Sequence, residues 1–464
     1  MLPGRVPGVR VDPAEVRALW EGDLLPVLSE YVRVPCLSPA FDLDWEARGE
    51  LLRTAGTLRD WCRSRPVPGL HAEVVARPGL TPVLLVEIPA AGGATGTVLV
   101  YGHLDKQPPL GDWLAYEPVR RGDRLYGRGA ADDGYSVFAA VGAMELLSRH
   151  GTPHPRVVVL IEASEESGSP DLDAHLDELA GRLGELRLVV CLDSGALDYE
   201  RLWVTESLRG NVVATVRVDV LDQGVHSGLA GGVVPSSFRV LRQLLDRIED
   251  ARTGEVLLPG VQVALPGPPT VPAGWAPDYP VVPGLRLSGA TPGEQLVRRA
   301  WSPALAVTGM AGIPSPGDAG NVLRPYTAAK ISLRLPPTVR AREAADSLVA
   351  VLTADPPQGA RVRVEVETPS DGWLAPPAEA WVTAALDEAS TATFGAPAAT
   401  YGEGGTIPFL ASLGARFPGL PLVALGVLGP ESNAHGPHEF LHVPMARAVT
   451  VATGHLVAAA GGRR

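Results

Sequence analysis

Four apolar runs of strand length, each passing into a histidine or an acid, constrain this 464-residue chain more than any other feature. VLVYG leads to His103 and Asp105, VVVLIEAS to Glu165 and Glu166, LVVCL to Asp193, and PLVALGV to the loop holding His435. Short runs of β-branched and aliphatic residues read as strands, and segments of helical periodicity lie between them, as in YSVFAAVGAMELL after Asp133 and at 172–183. Strands alternating with helices make an α/β fold, a mixed sheet flanked by helices. Such a sheet takes ligands beyond the carboxyl ends of its strands, where these runs end.

A chain this long exceeds the size at which one core stops growing, so two domains are expected. Asp12, Pro13 and Glu15 mark a helix start, with the helix running toward Tyr31, and a second helix spans 45–63. Near Glu206 the character changes. Residues 211–221 alternate as a half-exposed strand does, 236–248 form an amphipathic helix, and strand, helix and strand follow at 328–335, 341–352 and 361–367. That order predicts a smaller α+β domain at 207–368, with helices on one face of its sheet, inserted into a catalytic domain of 1–206 and 369–464. The Pro- and Gly-rich stretch 258–316 shows no assignable pattern.

The net charge of −12, with acids spread along the chain, excludes a phosphate-backbone binder, so no nucleic-acid partner is expected. Cys36, Cys62 and Cys191 lack CxxC spacing and point to a reducing compartment. The first 13 residues have no apolar core of signal-peptide length, and no apolar run reaches 18 residues. The expected location is the cytoplasm, with no membrane contact.

His103, Asp132, the Glu165 and Glu166 pair, Asp193 and His435 offer oxygen and nitrogen without sulfur, which suits zinc or another divalent first-row ion. They exceed what one tetrahedral site uses, and two metals sharing a bridging carboxylate would use them all. Each alone has an ordinary structural role as cap, turn former or solvated loop acid. Their shared placement at strand ends argues for joint action. Which glutamate ligates and which moves a proton is left open by the spacing.

The strings YGHLDKQPP, YGRGAADDG, EASEESGS, CLDSG, GVHSG, EGGTIP and NAHGPHEF, in that order, resemble the motif series of the co-catalytic zinc peptidases and amidohydrolases. That family includes carnosinase, succinyl-diaminopimelate desuccinylase, acetylornithine deacetylase and aminoacylase, and the dipeptidase (carnosinase-like) branch is most similar. The resemblance implies a zinc-exopeptidase type fold with an inserted lid and dimerisation domain, two zinc ions per chain (manganese or cobalt as alternatives), and a homodimer. The substrate would be a small peptide or, alternatively, an N-acyl amino acid. His103, Asp132 and Asp193 would hold one ion and Asp132, Glu166 and His435 the other, with the Asp132-Asp133 peptide bond cis. Asp105 would orient His103, and Glu165 would be the general base acting on the metal-bridging water. His226 would stabilise the oxyanion from a partner subunit. Asn321, Arg334 and Gly404 would contact substrate. Two positions depart from the pattern: Gly402 stands where these dipeptidases carry arginine, and His438 where the family has asparagine.

His438-Glu439-Phe440-Leu441-His442 is a literal HExxH, the signature of a single-zinc metallopeptidase. Pro437 before it and Pro444 after it leave no helix to hold both histidines. No G-x-S-x-G elbow or phosphate loop is present, and GRGAAD fails the dinucleotide fingerprint at its last glycine. A non-catalytic binding module is the remaining alternative.

Overall fold

The computed structural model describes residues 12–462 apart from 266–268, 270, 278 and 368. The expectations about residues 1–11, and about the insert's end at 368, lie outside the described residues. Among the described residues a nine-stranded mixed sheet runs in the order 71–77, 80–88, 156–162, 97–103, 186–191, 422–424, 203–208, 373–374, with 399–403 also paired to 203–208. Its middle strands, Thr97–His103, Arg156–Glu162, Leu186–Cys191 and Leu422–Ala424, are parallel. Alternate side chains enter opposite layers: Val98, Val100, Val157 and Val159 join one buried cluster, and Leu99, Tyr101, Val158 and Leu160 another. With both faces covered, the period-two signal gives way to continuous apolar runs.

Helices Tyr135–Arg149 and Val443–Gly461 cover the first face, and Leu172–Leu183 and Pro408–Arg416 the second. Val443–Gly461 is long and apolar enough to cross a membrane, but 89% of its apolar stretch is buried inside the protein. It is apolar all round because it is a core helix.

A separate four-stranded antiparallel sheet has the order 304–311, 326–335, 210–219, 361–366. Val212, Ala214, Val216 and Val218 alternate inward from Gly210–Asp219 and meet helices Ser237–Leu245 and Ala341–Thr353 in a third buried cluster.

Several local expectations are corrected. The helix after Asp12 widens into a π-helical stretch, Trp20–Leu24, just before Pro26, which has no N–H for the helical ladder. The segment 45–63 breaks at Gly49, whose φ is +67°. The stretch 258–316 contains a helix, Pro292–Trp301, and an edge strand, Ala304–Ala311. A small sheet of 440–442, 124–126 and 119–121 was not expected, because three-residue strands carry no readable period.

Candidate metal centre

Thr97–His103 delivers His103 at its end, Glu165 and Glu166 follow Arg156–Glu162, and Asp193 follows Leu186–Cys191. Parallel strands put these ends along one edge of the sheet. Gly102, directly before His103, leaves room for helix-start residues to close in: a Cβ there would meet Asp133 Oδ2 at 2.5 Å and collide with Ser136 Oγ. Asp133 accordingly accepts the His103 backbone N–H at 3.1 Å. The peptide bond between Asp132 and Asp133 is cis.

Among the described residues two groups place their ligand atoms within 4.8 Å of one another: His103, Asp132 and Asp193, and Asp132, Glu166 and His435. Asp132 belongs to both. Its Oδ1 lies 3.3 Å from His103 Nε2 and its Oδ2 3.0 Å from His435 Nε2, so each oxygen faces a different histidine. Asp193 Oδ1 is 3.9 Å from His103 Nε2, and Glu166 Oε2 is 3.1 Å from His435 Nε2. Glu165 falls in neither group.

On its other side, His103 Nδ1 is 3.1 Å from the Asp105 carbonyl and 3.4 Å from Asp105 Oδ1. A proton on Nδ1 leaves Nε2 free as a ligand. The Asp105 carboxylate also accepts the backbone N–H groups of Glu165, at 3.2 Å, and Glu166, at 3.0 Å. One buried side chain thereby ties the His103 strand end to the turn Glu165–Ser167.

The electrostatics fit cations. Burial, then the negative charge of Asp132 and Glu166, pushes Asp193 up to about 7. Burial, with Asp193 and Glu166 nearby, raises Glu165 well above the usual carboxylate range. Burial opposes the charged form of Asp132, yet hydrogen bonds from His103 and His435 carry its pKa below the ordinary value. Burial likewise opposes a proton on His435, but Asp132 and Glu166 raise it to about 11. Crowded, buried acids that raise one another's pKa, with two imidazoles among them and no sulfur, are a donor set that divalent ions relieve.

The sequence profile of peptidase family M20/M25/M40 matches residues 99–459. The chain belongs to this family. It is a hydrolytic enzyme, a peptidase, and peptidases of this family bind metal ions. A relative named cysteinylglycine-S-conjugate dipeptidase, from Corynebacterium striatum, is 30% identical over 373 residues, covering 77% of this chain and 80% of its own. Among solved structures, the di-peptidase Dug1p from Saccharomyces cerevisiae superposes with a TM-score of 0.76 at 21% identity, covering 96% of this chain and 97% of its own. The M20 family metallo-carboxypeptidase Sso-CP2 from Sulfolobus solfataricus superposes with a TM-score of 0.76 at 20% identity, covering 95% and 100%. These two likenesses establish the fold as this family's mixed α/β type.

The other expected residues of this M20 peptidase lie on or beside the strands Val225–His226, Val322–Leu323, Tyr326–Leu335 and Ala399–Glu403. His226 is exposed, its Nδ1 accepting the Gly228 N–H at 3.1 Å, on a short ladder with 322–323. The exposed Asn321 accepts the Ser227 N–H through its carbonyl at 2.9 Å. Arg334 reaches across to Thr406 Oγ1 at 3.0 Å, and the buried Gly404 accepts from Arg209 Nε at 3.1 Å.

Glu439 has a part that the sequence offers only as a rival base. Its buried carboxylate accepts N–H groups from Gly129, Ala131 and Asp132 and pairs with Arg128. Phe440–His442 is a strand paired with 124–126, and His442 stacks on Tyr199 at 3.9 Å. Without a helix across 438–442, the HExxH histidines have no shared helical face.

Proposed function

We propose that this peptidase hydrolyses the amide bond of a dipeptide or other small peptide at a two-cation centre, with Glu165 as general base. The observation that carries the proposal is Asp132, whose two oxygens face two different histidines. His103, Asp132 and Asp193 would hold one ion and Asp132, Glu166 and His435 the other. Zinc suits the donors, with manganese or cobalt as substitutes. Such ions supply Lewis acidity to the scissile carbonyl and lower the pKa of water.

Glu165 lies outside both groups and has a raised pKa, which suits a group that takes a proton from the attacking water and returns it to the leaving amine. Asp105 is the positioning residue, holding the His103 ring and the Glu165 turn together. Asn321, Arg334 and Gly404 contact substrate, arginine by its carboxylate-matching fork. His226 stabilises the oxyanion from the partner subunit of a homodimer, with 207–368 as lid and dimerisation domain; its exposure supports that role. The three cysteines are buried and free, which supports a cytoplasmic location. The dipeptide substrate is supported by the name of the Corynebacterium relative.

The test is metal analysis of purified protein together with hydrolysis of a panel of dipeptides and N-acyl amino acids. About two divalent ions per chain and chelator-sensitive dipeptide cleavage are expected. Metal-free protein that stays inactive after loading would overturn the proposal, and faster cleavage of N-acyl amino acids would make it a deacylase.

A further inference from the structure

Glu162 ends the strand Arg156–Glu162, three residues before Glu165, and its side chain is buried. By alternation it follows Val158 and Leu160 into the second core layer, where an apolar residue would extend the packing. A carboxyl group in such a place costs desolvation unless donors meet it. Three hydroxyls do so. Tyr101 and Ser169 donate to Oε1, Ser169 at 2.9 Å, and Ser164 donates to Oε2 at 3.3 Å. Tyr101 is held in turn by stacking on Phe409, with ring centroids 3.5 Å apart.

Ser164 and Ser169 are the two ends of the segment that carries Glu165 and Glu166 through the turn Glu165–Ser167. Their backbones also meet, the Ser169 N–H donating to the Ser164 carbonyl at 2.9 Å, and both residues are buried. Ser169 stands at a φ of +52°, a conformation that a residue other than glycine keeps when its surroundings hold it there. On the neighbouring strand Thr81 Oγ1 lies 3.2 Å from Ser164 Oγ and 2.9 Å from the carboxylate of Asp171, which caps the following helix. Asp105 therefore holds the turn by its N–H groups, and Glu162 holds it by its two ends.

We propose that Glu162 is a positioning residue for the reaction: through Ser164 and Ser169 it fixes this turn and so sets where the Glu165 carboxyl group stands. The proposal rests on the reading of Glu165 as general base. Glutamine can perform the same task, because its carbonyl takes the place of Oε1 as acceptor for Tyr101 and Ser169 and its NH2 group donates to Ser164 Oγ. Leucine fills the same space in the core layer and holds neither serine.

The experiment measures kcat and KM for dipeptide cleavage in Glu162→Leu and Glu162→Gln, each alone and combined with Glu165→Ala. Metal is supplied in excess, because Glu166 rides on the same turn, and the temperature stays well below each variant's Tm. Glu162→Leu is expected to lower kcat by about tenfold to a hundredfold with KM little changed, and Glu162→Gln to keep most of kcat. Since the loss acts through Glu165, Glu162→Leu should remove nothing further from Glu165→Ala. Full kcat in Glu162→Leu, equal losses in the leucine and glutamine variants, or losses that multiply in the double variant overturn the proposal. Should Glu162→Leu not fold, Ser169→Ala takes its place with the same expected direction, and full kcat there overturns the proposal. If no dipeptide is cleaved, or Glu165→Ala keeps full turnover, the base reading fails separately, and amide hydrogen exchange across 164–169 decides the role of Glu162. Exchange must then be faster in Glu162→Leu than in the unaltered protein and in Glu162→Gln, and unchanged exchange overturns the proposal.

Discussion

Replacing Glu439 removes the acceptor that anchors Asp132. The Glu439 carboxylate is buried and takes backbone N–H groups from Gly129 at 3.1 Å and from Ala131 and Asp132 at 3.2 Å each, while Arg128 Nη1 approaches to 2.6 Å. Arg128 is itself buried, with the Gly436 carbonyl as its other acceptor at 2.9 Å. In Glu439→Ala that guanidinium keeps its burial and loses its counter-charge. Breaking a buried pair from one side costs about 3–5 kcal/mol. At roughly 2 °C per kcal/mol, the low end appropriate to a chain of this size, Tm should fall by about 6–10 °C. Glu439→Gln retains a carbonyl acceptor for the N–H groups and should fall less. Metal affinity should weaken by about tenfold or more in both, because the backbone beneath Asp132 loses its tether. Scanning calorimetry of metal-free protein reads the first effect and metal titration the second. Unchanged Tm and full metal occupancy combined with abolished turnover would refute this reasoning and make Glu439 a participant in the chemistry, as the HExxH pattern would have it.

Glu165→Ala is expected to lower kcat by roughly 10²–10⁴ while both metals are retained, whereas Glu166→Ala loses metal; the opposite outcome by metal analysis exchanges the two roles. Loading the metal-free protein with zinc at pH 7 should release about one proton or more per chain, because His435, raised to about 11, and Asp193, raised to about 7, must give up protons to bind. Affinity therefore falls as pH falls, and calorimetry that shows no dependence on buffer ionisation enthalpy rejects the ligand set. His442→Ala should keep metal content and turnover while losing about 0.5–1.5 kcal/mol of stacking on Tyr199, which a denaturant titration checks.

The strand-end residues were legible because a strand buried on both faces writes its length into the sequence as an apolar run, and the next polar group marks the sheet edge. His103, Glu166 and Asp193 follow that rule within a few residues of a strand end. His435 is harder to place: the ordered strand ends at Ala424, and Asn433, His435 and His438 all take positive φ in the loop between. No run length encodes such a path. Helix Pro292–Trp301 had a signal, a capping pair in which Thr291 Oγ1 accepts the Glu294 N–H at 3.2 Å and the Glu294 carboxylate accepts the Ala290 N–H at 2.7 Å. The density of proline and glycine around it obscured that pair. Glu439 shows a different limit, since a carboxylate that satisfies buried N–H groups and one that moves a proton are spelled alike.

The substrate side depends on contacts no local pattern contains. A Cβ at Gly402 would lie 2.6 Å from Ser207 Oγ and 2.8 Å from Ala300 Cβ, so an arginine there would displace helix Pro292–Trp301. That helix supplies Arg299, one residue before the alanine that fills the space, and Arg299 approaches Glu403, one residue after the glycine. Glycine at 402 and arginine at 299 are thus two halves of one arrangement: the missing side chain admits the helix, and the helix brings a guanidinium to the same loop. Gly402 read alone signals a lost charge. Read with the helix against it, it marks the space that Ala300 fills, beside a guanidinium that a different element brings to within 3.6 Å of Glu403, a packing relation that the residues around 402 do not encode by themselves.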